Sequence, residues 1–144
     1  MNDLGADDTI EFLGRVSKNE MDSVYASADF QIVPLKDVKI FAGIIPSKFQ
    51  AGMAHGVPVI TTVQGDVTTL VRDNDLGFTA TPEDVESLAG AFLNAYYTSP
   101  DDRAAMASRA RQFYLDNFTR QKAIDQLERI FISVAKSHSD HAAQ

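Results

Sequence analysis

The sequence predicts an α/β fold, a parallel sheet flanked by helices with a helical C-terminal third, and three observations carry that prediction. Strand and helix signals alternate from Thr9 to Ala80, a proline-started and glycine-ended segment at Ile45–Thr62 runs into an apolar strand, and only helical periodicity follows Thr81.

Thr9-Ile10-Glu11-Phe12-Leu13 is expected as a first strand, closed by Gly14. Ser17 and Glu20 have the spacing of a capping box, after which Met21, Val24, Tyr25 and Ala28 recur on one helical face. Asp29 to Leu35 gives the next strand through Phe30, Ile32 and Val33, and Lys36 to Gly43 gives a polar loop. Pro46 fixes the entry of a helix that Ser47 can cap and Gly56 ends. Pro58-Val59-Ile60 is a buried strand. A short helix with Val67, Leu70 and Val71 comes next, and Asn74-Asp75-Leu76-Gly77 turns into a strand at Phe78 to Ala80. Four strands joined through helices imply parallel pairing with right-handed crossovers.

Thr81-Pro82-Glu83-Asp84 opens a helix with an inward stripe of Val85, Leu88, Ala89, Phe92, Ala95 and Tyr96. Ser99-Pro100-Asp101-Asp102 opens another, with Met106, Ala110, Phe113 and Tyr114 on one side. Thr119 caps the last, where Ala123, Leu127, Ile130, Phe131 and Val134 repeat at helical spacing. From Ser137 there is nothing to bury, so 137–144 is expected as a disordered tail on a single domain, 1–136.

Composition narrows the function. The 144 residues are 44% hydrophobic and 23% charged, which suits one soluble core. A net charge of −7 opposes a nucleic-acid surface, so no nucleic-acid partner is expected and any bound phosphate must be held locally. The absence of cysteine excludes disulfides and thiolate metal sites. No apolar run approaches the ~20 residues of a membrane span, and the acidic, polar N-terminus is unlike a signal peptide, so a cytoplasmic location is expected.

The start at Pro46-Ser47-Lys48 is the candidate site. Free amides at a helix N-terminus, aided by its dipole and by Lys48, can hold a phosphate. Each polar residue nearby also has a purely structural reading. Lys48 and Arg15 can be solvated, His55 can satisfy a helix C-terminus, Thr61 and Thr62 suit a strand by propensity, and Asp66 suits a cap. His138 and His141 read as solvated rather than as a metal pair.

In order along the chain, Phe12-Leu13-Gly14-Arg15-Val16, Ala28-Asp29-Phe30 leading to Val33-Pro34, Pro46-Ser47-Lys48 through Gly56-Val57-Pro58-Val59-Ile60, and Gly77 resemble the C-terminal, donor-binding half of GT-B glycosyltransferases of group 1, or family 4. Phe113 to Thr119 resembles the segment leading into their terminal helix, and Pro-Ser-Lys resembles a subgroup that builds bacterial surface polysaccharides on lipid-linked precursors. The resemblance implies a Rossmann-like partial domain and transfer, with retention, of a sugar from a nucleotide diphosphate sugar to a lipid-linked or saccharide acceptor. It places donor contacts on Gly14, Arg15, Val16, Ile44, Ile45, Ser47 and Lys48. It implies no cofactor and no metal, because helix dipoles and basic groups stabilise the leaving diphosphate.

Two departures stand out. Gly43 and Ala51 occupy positions where much of the family carries glutamates, one of which grips the ribose hydroxyls. The family's acceptor domain and the first strands of its donor domain are also expected to be missing, which would leave the chain inactive alone. A sheet edge and an apolar face would then need cover from a separately encoded N-terminal half or from a homo-oligomer, and any peripheral membrane association would run through the missing half. A non-catalytic nucleotide- or partner-binding remnant and a sugar-nucleotide epimerase-like domain are the alternative readings.

Overall fold

The computed structural model describes residues 9–142, with side chains through Lys136. The element order is α1 (Met21–Ala26), β1 (Gln31–Val33), a 3-10 turn (Lys39–Gly43), α2 (Ser47–His55), β2 (Val59–Thr61), α3 (Asp66–Asp73), β3 (Gly77–Thr79), α4 (Val85–Tyr97), α5 (Pro100–Asn117) and α6 (Arg120–Ala142). The three strands form one parallel sheet in the order β1-β2-β3. Ile32 pairs with Ile60 and Ile60 with Phe78. The expected α/β class with a helical C-terminal third is therefore present.

Strand alternation splits the core into two faces. Val33 and Val59 point to one, where Phe49 and Met53 of α2, Val67 and Val71 of α3, Leu76 and Ala110 of α5 close around them. Ile60 points to the other, with Ala80, Ala91 and Ala95 and the half-buried Phe30, Phe78 and Leu88. The first face is filled by large side chains and three helices; among the described residues the second is covered by α4, and its buried positions beside Ile60 are alanines.

The first expected strand does not form. Thr9–Leu13 is irregular, and Ile10, Phe12 and Leu13 are exposed. An alternating apolar pattern makes a strand only where a neighbouring strand accepts its hydrogen bonds, and the described sheet ends at β1. The capping box is rearranged as well. The Ser17 amide donates to the Glu20 carboxylate at 3.1 Å, but the Ser17 hydroxyl donates to that same carboxylate at 2.6 Å instead of capping an amide. These two bonds hold the Glu20 carboxyl below its usual range.

The remaining helix signals are mostly obeyed. Gly56 ends α2 at φ 69°, in the left-handed region where glycine is unstrained. The Asp84 carboxylate accepts from the Ser87 amide at 2.9 Å, Ser99 caps α5 through the Asp102 amide at 3.1 Å, and Thr119 accepts from the Lys122 amide at 3.3 Å. Asp66 does not cap: Gly65 holds the cap position and Asp66 stands in the first turn. α6 is helical to Ala142, past the point where the sequence suggested fraying. Its apolar stripe of Leu127, Ile130, Phe131 and Val134 is exposed, because α6 packs against α5 and is not laid onto the sheet.

Candidate functional site

In an open parallel sheet, ligands bind beyond the carboxyl ends of the strands. Here that edge is formed by the chain leaving β1 at Leu35 and the chain leaving β2 at Val63. Two threonines stitch these exits together. The Thr62 hydroxyl accepts from the Leu35 amide and donates to the Leu35 carbonyl, both at 3.0 Å. The Thr61 hydroxyl donates to the Val33 carbonyl at 2.8 Å and accepts from the Val63 amide at 3.1 Å. Both residues are buried and fully satisfied. The threonines are thus more than β-branched fillers, since they fix the spacing of the two loops that border the crevice.

Between those loops lies a cavity of about 180 Å³, lined by Lys36, Asp37, Lys39, Phe41, Val63 and Gln64 among others. Its floor is the 3-10 turn, pressed so closely on the start of α3 that a Cβ on Gly65 would stand 2.2 Å from the Ala42 carbonyl oxygen. Gly65 also has φ 78°, so glycine is required there twice over. Lys36, Lys39 and Gln64 were not among the residues selected from the sequence. No local motif marks them; only their position after the ends of β1 and β2 does.

Two helices begin at this edge, and their ends differ in charge. α3 carries Asp66 in its first turn, which offsets the positive end of its dipole. α2 has no acidic residue in its first turn and no side-chain cap, and Lys48 stands there instead. The first helical bond of α2 runs from the Gln50 amide to the Pro46 carbonyl, so the amides of Ser47, Lys48 and Phe49 lie ahead of it. Ser47 is the first helical residue, and Pro46, at φ −62°, occupies the cap position, which overturns the expected serine cap. An anion at this end would complete what the chain leaves open.

The other expected donor residues are distributed unevenly. Ser47 and Lys48 are exposed, and Ile45 is half-buried against the larger core. Ile44 is extended, and its amide already donates to the Phe41 carbonyl at 3.2 Å, so it is not open to a ligand. Gly14 and Arg15 are exposed and Val16 is half-buried, in irregular backbone before α1; Gly14 takes φ 67°. None of the seven lines the cavity beside the 3-10 turn. Gly43 ends that turn, and Ala51 lies on α2 with its carbonyl accepting from His55, so neither offers a carboxylate.

Residues away from the edge take structural roles. His55 Nδ1 lies 2.8 Å from the Ala51 carbonyl and Nε2 lies 3.0 Å from Asp22 of α1. An Asp-X-Asp triplet occurs at Asp73-Asn74-Asp75, but it precedes β3 at the amino end of the sheet, and Asp75 is paired with Arg109 at 2.5 Å. A larger cavity, about 500 Å³, opens on that side with Asp75, Asp102 and Arg109 in its wall. The larger cavity sets two carboxylates, Asp75 and Asp102, against one cation, Arg109, whereas the smaller crevice sets two lysines, Lys36 and Lys39, against one carboxylate, Asp37, which suits an anion better. Among the described residues no group of three or more His, Cys, Asp or Glu side chains could hold a metal. The side chains of His138 and His141 lie outside the described residues.

The family model for glycosyl transferases group 1 matches residues 1–98, from the N-terminus through α4. The chain belongs to that family. No curated protein and no solved structure matches it significantly. The family's activity is glycosyl transfer, and the parallel sheet flanked by helices agrees with membership of a group 1 glycosyltransferase domain. No helix among the described residues is long and apolar enough to cross a membrane.

Proposed function

We propose that this chain is the donor-binding wall of a retaining glycosyltransferase, one that transfers a hexose or N-acetylhexosamine from a nucleotide diphosphate sugar to a lipid-linked or saccharide acceptor in cell-surface polysaccharide synthesis. The observation that carries the reading is the uncapped, uncompensated start of α2 at the sheet's carboxyl edge, where the Ser47 and Lys48 amides precede the first helical bond. The family membership supplies the chemistry; this helix end supplies a place for the diphosphate.

In this reading the Ser47, Lys48 and Phe49 amides hold the phosphate nearest the sugar, and the Lys48 ammonium adds charge as the diphosphate leaves. Lys36 and Lys39, on the loop between β1 and α2, border the same edge and supply positive potential. Gly14 to Val16 receives the nucleobase. Thr61 and Thr62 keep the two loops at a fixed distance, so that binding does not first have to order them. Transfer in such enzymes takes place between two domains, and this wall supplies the donor side. It works in the cytoplasm, where nucleotide sugars are made.

An NMR titration with UDP and with GDP tests the reading. Saturable shifts at the Ser47 and Lys48 amides are expected, and Lys48→Ala should weaken binding about fivefold, close to ~1 kcal/mol. A titration that leaves the α2 amides unmoved by either nucleotide, while the spectrum remains that of a folded protein, would overturn it and favour the non-catalytic, partner-binding remnant.

A further inference from the structure

The second face of the sheet is only partly covered. The α4 helix presses Ala91 and Ala95 onto Ile60 of the central strand and Phe78 of β3 but stops short of Ile32 on the edge strand β1. The apolar surface of α4 is wider than the sheet can use. Phe92, Tyr96 and Val85 stand on its flank at 42%, 80% and 82% exposure, and Ile32 beside them is 47% exposed. Phe30, Ile32, Phe92 and Tyr96 line a groove of about 480 Å³ together with Asp29 and Arg103, whose charges pair with each other at 3.3 Å.

The same chain carries an unused ridge. Ile124, Leu127, Ile130 and Phe131 form a stripe roughly 120° wide on α6, the width of a helix face that expects a core. No side chain over 120–136 is buried; Leu127 is 53% and Phe131 68% exposed. α5 borders the groove through Arg103 at its start, but α6 leaves from its far end, where Phe113 and Phe118 pack with Phe49 of α2 on the opposite face of the sheet. The helix therefore starts on the wrong side to fill the groove of its own molecule.

We infer that α6 of a second copy of this chain lies in the groove between α4 and β1, and that the exchange is reciprocal, giving a closed two-fold dimer. Charge favours this pairing. α4 contains no Lys or Arg, and Glu83, Asp84 and Glu86 cluster at its start. Over 120–136, α6 carries the four basic residues Arg120, Lys122, Arg129 and Lys136 against the acidic Asp125 and Glu128. Area favours it as well. Large apolar side chains bury on the order of 200 Å² each, so at these exposures one ridge and one groove contribute on the order of 1,000 Å². The reciprocal pair doubles that, which reaches the ~1,200–2,000 Å² of a specific interface. Both halves of the contact are present in one chain, and this self-complementarity selects a second copy over an unrelated partner.

Sedimentation velocity on the full chain at tens of micromolar should give twice the 15.8 kDa chain mass. Phe131→Glu on the ridge and Tyr96→Glu in the groove should each raise the dimer dissociation constant at least about tenfold. Both sites are exposed in the single chain, so unchanged far-ultraviolet circular dichroism is expected and separates lost association from lost folding. Because the chain lacks cysteine, Tyr96→Cys and Phe131→Cys proteins can be mixed and mildly oxidised, and a mixed covalent dimer should dominate. A monomeric wild-type chain overturns the inference. So does a dimer that Tyr96→Glu leaves intact, which would mean that the α6 helices pair with each other, and so does failure of the mixed disulfide.

Discussion

His55 shows how a single residue joins two elements. Its two ring nitrogens face acceptors, the Ala51 carbonyl and the Asp22 carboxylate, and the ring stacks on Tyr25 at 4.4 Å. Both bonds can be made together only when both nitrogens carry protons. The Ala51 carbonyl first, and Asp22 second, therefore raise the His55 pKa above its usual 6.5, against smaller opposing effects of desolvation and then of Arg111. With the folded pKa above the unfolded one, this stabilisation is fully present below pH 6.5 and is lost as pH rises through the folded value. NMR titration of the imidazole should find a pKa above 6.5 in the native chain and a lower one in Asp22→Asn, with earlier loosening of α1 amides as pH rises. An unchanged pKa in that variant would remove Asp22 from the account. The sequence correctly placed His55 at a helix end, but Asp22, 33 positions away, could be matched to it only in three dimensions.

At the scale of elements, caps and glycine stops were legible because their partners lie within four residues. Asp84 illustrates this. It holds the Ser87 amide, while the Ser87 hydroxyl in turn accepts from the Thr81 amide at 2.8 Å. Asp84→Ala should cost about 1 kcal/mol in a urea denaturation series, and a change below ~0.3 kcal/mol would deny the cap a role. Faces were harder to read than ends. Of the stripe expected on α4, Leu88 and Ala95 meet the sheet, but Val85, Ala89, Phe92 and Tyr96 are exposed and the unexpected Ala91 is buried. Several adjacent directions around that helix are apolar, so periodicity identifies a helix without choosing which side it buries. The same holds for α6, whose stripe is regular but uncovered. Thr9–Leu13 fails in the opposite sense, for its alternation is real but a strand depends on a neighbour.

Across the whole molecule, stability is concentrated on one face of the sheet. Phe49 and Met53 of α2 are fully buried, and the Phe49 ring meets Phe118 edge-on at 6.4 Å. Phe49→Ala should cost about 3–5 kcal/mol, a large share of a typical domain's ~5–15 kcal/mol. Leu93→Ala, on the exposed flank of α4, should stay within about 0.5 kcal/mol. Comparable losses from both substitutions in denaturant titrations would mean that the flank of α4 is as well packed as the main core. The asymmetry also bears on function. The α2 helix end that would receive a diphosphate is anchored in the well-packed core through Phe49 and Met53, so the candidate site rests on the rigid side of the sheet.

The sequence by itself determined the α/β class, the order of its helices and three of its strands, the family, and the helix start at Pro46-Ser47-Lys48. These follow from local periods, caps and motifs that a chain carries wherever it folds. Only the tertiary structure decided which helix faces are buried, that Thr61 and Thr62 tie the two crevice loops, that the Ile44 amide is occupied, and that Lys36, Lys39 and Gln64 border the crevice. The physical reason is that these outcomes depend on which segments become neighbours. A hydrogen bond across 27 residues, such as that between Thr62 and Leu35, leaves no periodic trace in the chain.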